Sequence, residues 1–159
     1  MVVMGVSGAG KTTIGQLLAQ QLGWEFHDAD DLHPPANIEK MRGGNSLTDA
    51  DRLPWLHAVA RLMRQLDRSE RDAVLACSAL KASYRRLLKD SSQGARIIFL
   101  HGPMEIIARR LGRRTGHFMH PGLLARQLET LEPPSEAEWV DAAGPPEAVV
   151  EAVRKKLGL

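Results

Sequence analysis

Residues 5–12 read Gly-Val-Ser-Gly-Ala-Gly-Lys-Thr, a complete G-x-x-x-x-G-K-[ST] motif, and they follow directly on the apolar run Val2, Val3 and Met4. That motif works physically only between a buried strand and the start of a helix, so it dictates strand, glycine-rich loop and helix in that order. The helix can be read downstream, where Ile14, Leu17, Leu18 and Leu22 recur at i, i+3, i+4 and i+8 and give one apolar face. Glycines let successive main-chain N–H groups converge on phosphate oxygens, and the helix dipole favours negative charge at the same point. Lys11 is expected to bridge two phosphates, and Thr12 to offer its hydroxyl to Mg²⁺.

The rest of the chain must supply one core around that unit. Its 159 residues fit a single domain, 1–159, and 43% hydrophobic residues suffice for the core. Twenty-one cationic and 19 anionic side chains are interspersed, giving a net charge of +2. This balance suits a handler of small anions better than a protein tracking a nucleic-acid backbone. The single cysteine, Cys77, excludes an intrachain disulfide and a multi-cysteine metal site. No apolar run approaches the roughly 20 residues of a membrane span, and no charged-then-apolar leader precedes the first strand. A cytoplasmic location without a membrane partner is the expectation. The chain opens almost inside its first strand, so the native start is expected a few residues upstream.

Four more segments, 24–28, 73–77, 96–100 and 138–141, read as strands, each followed by a helical pattern. The alternation predicts an α/β three-layer sandwich with a parallel sheet and helices on both faces. The stretch 30–71 is too long for a loop and must carry helices of its own. One of them starts at Thr48, where Thr48 and Asp51 form a capping box ahead of Leu56, Val59, Ala60 and Met63. Segments 79–89, 105–114 and 145–157 also read as helices.

The chemistry must come from acids and bases near the loop. In an open parallel sheet, ligands sit beyond the carboxyl ends of the strands, which is where Asp28-Ala29-Asp30-Asp31 ends the second one. Asp28 is placed to hold Mg²⁺ through water, and Asp30 to orient a substrate hydroxyl; turn-forming or capping aspartates are the competing explanation. No strand ends in a Walker B aspartate, and no N-K-x-D guanine signature occurs. Lys81 and Arg85 are four residues apart, so they are expected to share a helix face and clamp an anionic group, with a solvated face as the alternative. Arg109, Arg110, Arg113 and Arg114 precede Thr115-Gly116-His117-Phe118, a pattern that suits a lid over roughly 110–122. Arg110 and Arg114, one turn apart, are the arginines expected to reach the transferring phosphoryl. Cys77 reads as a buried core thiol.

Six blocks together carry a resemblance: MGVSGAGKT, DADDLHPPANIEKM, LTDADRLPWL, CSALKASYRRLL, RLGRRTGHF and QLETLEPP. In that order the chain resembles the gluconate kinases, small P-loop kinases on the adenylate and shikimate kinase plan, over nearly its whole length. The resemblance implies ATP-dependent phosphorylation of D-gluconate to 6-phosphogluconate, a five-stranded parallel sheet, a mobile lid and a homodimer. Gly5, Ser7, Gly8, Ala9, Gly10, Lys11, Thr12 and Thr13 would bind the ATP phosphates, with Thr12 and Asp28 at Mg²⁺. Asp30, His33, Lys81 and Arg85 would contact the sugar acid, and Arg110 and Arg114 would act from the lid. The segment 141–145 is plainer than its family counterpart and leaves the adenine contacts open. The alternatives are another small-metabolite kinase, such as one acting on shikimate, or a nucleotide-dependent switch.

Overall fold

The computed structural model describes residues 1–112 and 123–159. Five parallel strands, β1 (Val2–Met4), β2 (Glu25–Asp28), β3 (Ala73–Ala76), β4 (Ile97–His101) and β5 (Glu138–Asp141), form one sheet in the order β2-β3-β1-β4-β5. The fully buried triplet Val2-Val3-Met4 takes the centre because both of its faces are covered. The chain leaves β1 toward one edge, to β2, and later crosses from β3 to β4 on the other side. A crevice therefore opens beyond the carboxyl end of β1.

Helices α1 (Lys11–Leu22) and α7 (Pro146–Leu157) cover one face, where Ile14, Leu18, Val149, Val150 and Val153 pack against Val3, Val74, Ile98 and Val140. Helices α3 (Asp49–Arg68) and α4 (Ala82–Ser91) cover the other, where Trp55, Val59, Met63 and Leu88 pack against Val2, Met4, Leu75 and Phe99. The three layers expected from the alternation of strands and helices are present. The capping box at Thr48 and Asp51 starts α3 as predicted.

The helix predicted over 79–89 begins at Ala82 instead, because Ala79 adopts φ 45° and the chain runs irregularly before Lys81 caps the helix. Two short helices escaped the periodicity reading: α2 (Pro35–Arg42) and α6 (Leu123–Thr130). Each has only eight residues, too few for the apolar repeat to stand out. The helix predicted over 105–114 is α5 (Met104–Gly112) in its described part. Arg113, Arg114, and the lid pattern beyond them lie outside the described residues.

Candidate active site

The glycine-rich loop connects β1 to α1 at the crevice. Gly10 sits in the left-handed region at φ 98° as the residue capping α1. The first amides of a helix have no intrahelical acceptor, so this end of α1 offers an anion site. Gly8, at φ 86°, passes so close to α5 that a Cβ there would lie 2.5 Å from the Ile107 carbonyl oxygen. The motif thus needs glycine at Gly10 for its conformation and at Gly8 for conformation and space together.

Lys11 Nζ donates to the Val6 carbonyl at 3.2 Å, folding its ammonium back over the loop. Thr12 Oγ1 donates to Asp28 Oδ2 at 2.8 Å. That pair joins the start of α1 to the end of β2 with two hard oxygen donors, the chemistry Mg²⁺ prefers. Among the described residues, no cluster of three or more His, Cys, Asp or Glu side chains could cage a metal. A cation here would therefore draw further ligands from phosphate and water, as Mg²⁺ usually does. Gly5, Ser7, Gly8 and Ala9 are buried in the loop, while Thr13 is exposed on the first turn of α1.

Beside the loop lies a cleft of about 350 Å³ whose lining includes Asp30, His33, Asp49, Arg52, Lys81 and Arg126. Asp28 caps a 3₁₀ turn, Ala29–Leu32, its carboxylate accepting from the Asp30 amide at 3.0 Å. Trp55 Nε1 donates to the Ala29 carbonyl at 2.7 Å and so holds the same turn against α3. His33 stacks on Trp55, with ring centroids 4.5 Å apart and planes within 10°. Burial, helped by the nearby Arg52 charge, lowers the His33 pKa to about 4, so the ring enters the cleft uncharged at neutral pH.

Lys81 also lines the cleft, but Arg85 does not. Arg85 is 1% exposed; its guanidinium donates to the Ala79 and Leu80 carbonyls at 3.1 and 3.0 Å and to Glu136. The expected clamp of Lys81 with Arg85 is therefore corrected: Lys81 precedes the helix in extended conformation, so the spacing does not put both on one face. Arg85 instead locks the irregular segment that presents Lys81.

Arg110 is likewise committed elsewhere, donating to the carbonyls of Ala142, Ala143 and Gly144. It walls a second hollow, about 340 Å³, whose other lining includes Gly10, Thr13, Ile14, Pro145 and Pro146. Its expected reach to the transferring phosphoryl is not what these contacts provide. Asp31 is exposed, and Cys77 is a core thiol whose pKa burial pushes up to about 12.

Sequence reasoning missed Asp49, Arg52, Arg126 and Gln127. Gln127 Oε1 accepts from the Ser7 amide at 2.7 Å, joining α6 to the phosphate loop. Arg126 donates to Ser46 Oγ at 3.2 Å across the cleft mouth. Asp49 and Arg52 lie in the LTDADRLPWL block, where helix capping already accounted for the pattern and hid a second use.

Comparison with known proteins agrees with this architecture. Residues 7–136 match the family model described as shikimate kinase. A gluconokinase of Gluconobacter oxydans is 49% identical over 140 residues, covering 88% of this chain and 79% of that protein. The crystal structure of a gluconokinase from Sinorhizobium meliloti superposes with a TM-score of 0.87 at 45% identity, covering 99% of this chain and 90% of that one. An unliganded sugar kinase from Janibacter superposes at 0.91 with 42% identity, covering 99% and 92%. With a phosphate loop facing a cationic cleft, and relatives this similar over most of their length, the chain belongs to the gluconokinase family of shikimate kinase-like P-loop kinases.

Proposed function

We propose that the protein transfers the γ-phosphoryl group of ATP to the 6-hydroxyl of D-gluconate, giving 6-phospho-D-gluconate and ADP. One observation carries this reading. A phosphate loop lies next to a polar cleft lined by Asp30 beside the loop-proximal turn, by a second carboxylate, Asp49, and by three cations, Arg52, Lys81 and Arg126. A sugar acid needs both features, a base for its alcohol and positive charge for its carboxylate.

In this reading the loop amides and Lys11 hold the triphosphate, and Lys11 swings from Val6 to the charge that develops on the phosphoryl oxygens. Thr12 and Asp28 would hold Mg²⁺, which when bound neutralises phosphate charge. Asp30 orients the acceptor hydroxyl and takes its proton late, because the loose transition state demands alignment more than basicity. His33, uncharged, gives a hydrogen bond to a sugar hydroxyl without competing for the carboxylate. Arg52, Lys81 and Arg126 receive that carboxylate. The hollow beside Gly10 and Thr13 takes the nucleoside, with Arg110 fixing its far wall. Arg114 belongs to the proposal only as a lid residue. The homodimer and the cytoplasmic location are also proposals. Bearing on location, no described helix is long and apolar enough to cross a membrane.

A coupled ADP-release assay offering gluconate, shikimate or AMP tests the reading. Release stimulated by gluconate well above the other two is expected. Equal rates, preference for shikimate, or slow ATP hydrolysis unaffected by any acceptor would overturn it.

A further inference from the structure

The cations of the acceptor cleft are partly answered from within. Asp49, the first residue of α3, places both carboxylate oxygens on Lys81 Nζ, at 2.9 and 2.8 Å. The Tyr84 hydroxyl donates to the same carboxylate, and Arg52 Nη1 lies 3.8 Å from it. The side chain is 64% exposed, so these partners and not burial hold it over the cleft. Nor does α3 need it for capping, since Thr48 and Asp51 already exchange both capping hydrogen bonds. Asp49 therefore has the contacts of an ionic anchor, and its place in the cleft is a matter of charge.

The charges in the described lining can be counted. Arg52, Lys81 and Arg126 are positive, Asp30 and Asp49 negative, and His33 neutral near pH 7. The described lining carries a net charge of one positive unit. Without Asp49 it would carry two.

We propose that Asp49 is a specificity-determining residue, an internal carboxylate that sets the acceptor cleft's charge to match a polyhydroxy compound bearing one carboxylate and to disfavour a dianion of the same size. The proposal rests on reading this cleft as the acceptor site. A single carboxylate satisfies the net charge. A second one, at the other end of the molecule, finds the lining's single positive unit already balanced and must be desolvated without a full ionic partner, which is costly. A neutral polyol forfeits the ion pair altogether. The same device keeps Lys81 pinned by Tyr84 and Asp49 in the absence of substrate, so little side-chain ordering is left to do on binding.

Calorimetric titration, without nucleotide and at fixed ionic strength, tests this with three probes of equal length: D-gluconate, the dianion D-glucarate and the neutral D-glucitol. Wild type should favour gluconate over glucarate. Asp49→Asn should narrow that ratio about five-fold, the effect expected of one exposed charge. The double variant Asp49→Asn with Lys81→Gln returns the count to one and should restore the ratio. If Asp49→Asn weakens both acids equally, or the double variant fails to restore the ratio, Asp49 merely positions Lys81 and the proposal fails. Normal gluconate turnover with an unmoved ratio sinks this inference alone. A wild type that binds neither acid sinks the acceptor reading and this inference with it. Thermal midpoints within a few degrees of wild type establish that both variants are folded.

Discussion

The phosphate loop and the acceptor cleft share one crevice but are built in opposite ways. The loop is a single run, 5–13, that works through main-chain amides and the space that glycine leaves, as at Gly8 against Ile107. The cleft draws its side chains from four separate stretches, around 30–41, 46–55, 78–84 and 126–130. Recognition by backbone is written locally, because the conformation that aims the amides needs particular residues in sequence. Recognition by side chains is written wherever the fold happens to converge. The acceptor half is thus the half in which relatives with the same loop can differ.

This contrast predicts that damage to the two halves should separate in kinetics. Asp30→Asn should lower kcat by about 10²- to 10⁴-fold while ATP affinity stays near normal, as expected on losing a positioned base. Near-normal turnover in steady-state assays would remove Asp30 from the chemistry. Lys11→Ala should cost about 3 kcal/mol of transition-state stabilisation, roughly a hundredfold in kcat, with gluconate binding unchanged by calorimetry. Unchanged turnover would end the role assigned to the loop lysine.

Arg85 separates support from contact. Arg85→Ala removes the guanidinium from Glu136 and from the Ala79 carbonyl, while Leu80 keeps the Glu132 amide, so it should destabilise the fold by about 3 kcal/mol in urea titration. Had Arg85 instead contacted the sugar acid, the same variant would raise the gluconate KM and leave stability alone.

His33 gives a pH signature to the acceptor half. Its folded pKa, about 4, lies below the ordinary 6.5, so between those values the unfolded chain binds a proton that the native state refuses. Stability from this source is therefore fully present above about pH 6.5 and is lost as pH falls toward 4. The loss should reach about 2 kcal/mol, discounted from the full shift because an edge of the ring faces the open cleft. Denaturation midpoints at pH 7 and pH 5 measure it, and His33→Gln should flatten the slope. The smallest effect belongs to Arg126, which is exposed. Arg126→Ala should raise the gluconate KM about five-fold and leave the ATP KM in place; a matching rise in both would place Arg126 with the nucleotide.

The stretches 24–28 and 138–141 show how far pattern carries. Both were readable as strands, yet nothing in either says that β2 and β5 form opposite edges of the sheet. Asp28 and Asp30 were legible because they end a strand, where a parallel sheet exposes its ligand face. Arg85 was misread because helical spacing argues only inside a helix, and Ala79 delays the helix past Lys81. Asp49, Arg52 and Arg126 carried no local signal of a shared cleft, for the first two flank the capping pair Thr48 and Asp51, which by itself accounts for that stretch.

By itself, the sequence determined the strand-loop-helix unit at residues 2–22, the alternation that forces a layered parallel sheet, and the acidic tip at Asp28 and Asp30. Each of these follows from interactions between near neighbours in the chain: glycine conformation, periodic apolar faces, capping. Only the tertiary structure decided that Lys81 meets Asp49 from 32 residues away and that Gln127 meets Ser7 from 120 away. It also put Arg85 under the cleft and left Arg126 at its mouth. Such pairings arise when crossover connections bring distant segments to one end of the sheet, and no local pattern encodes which side chains then face each other.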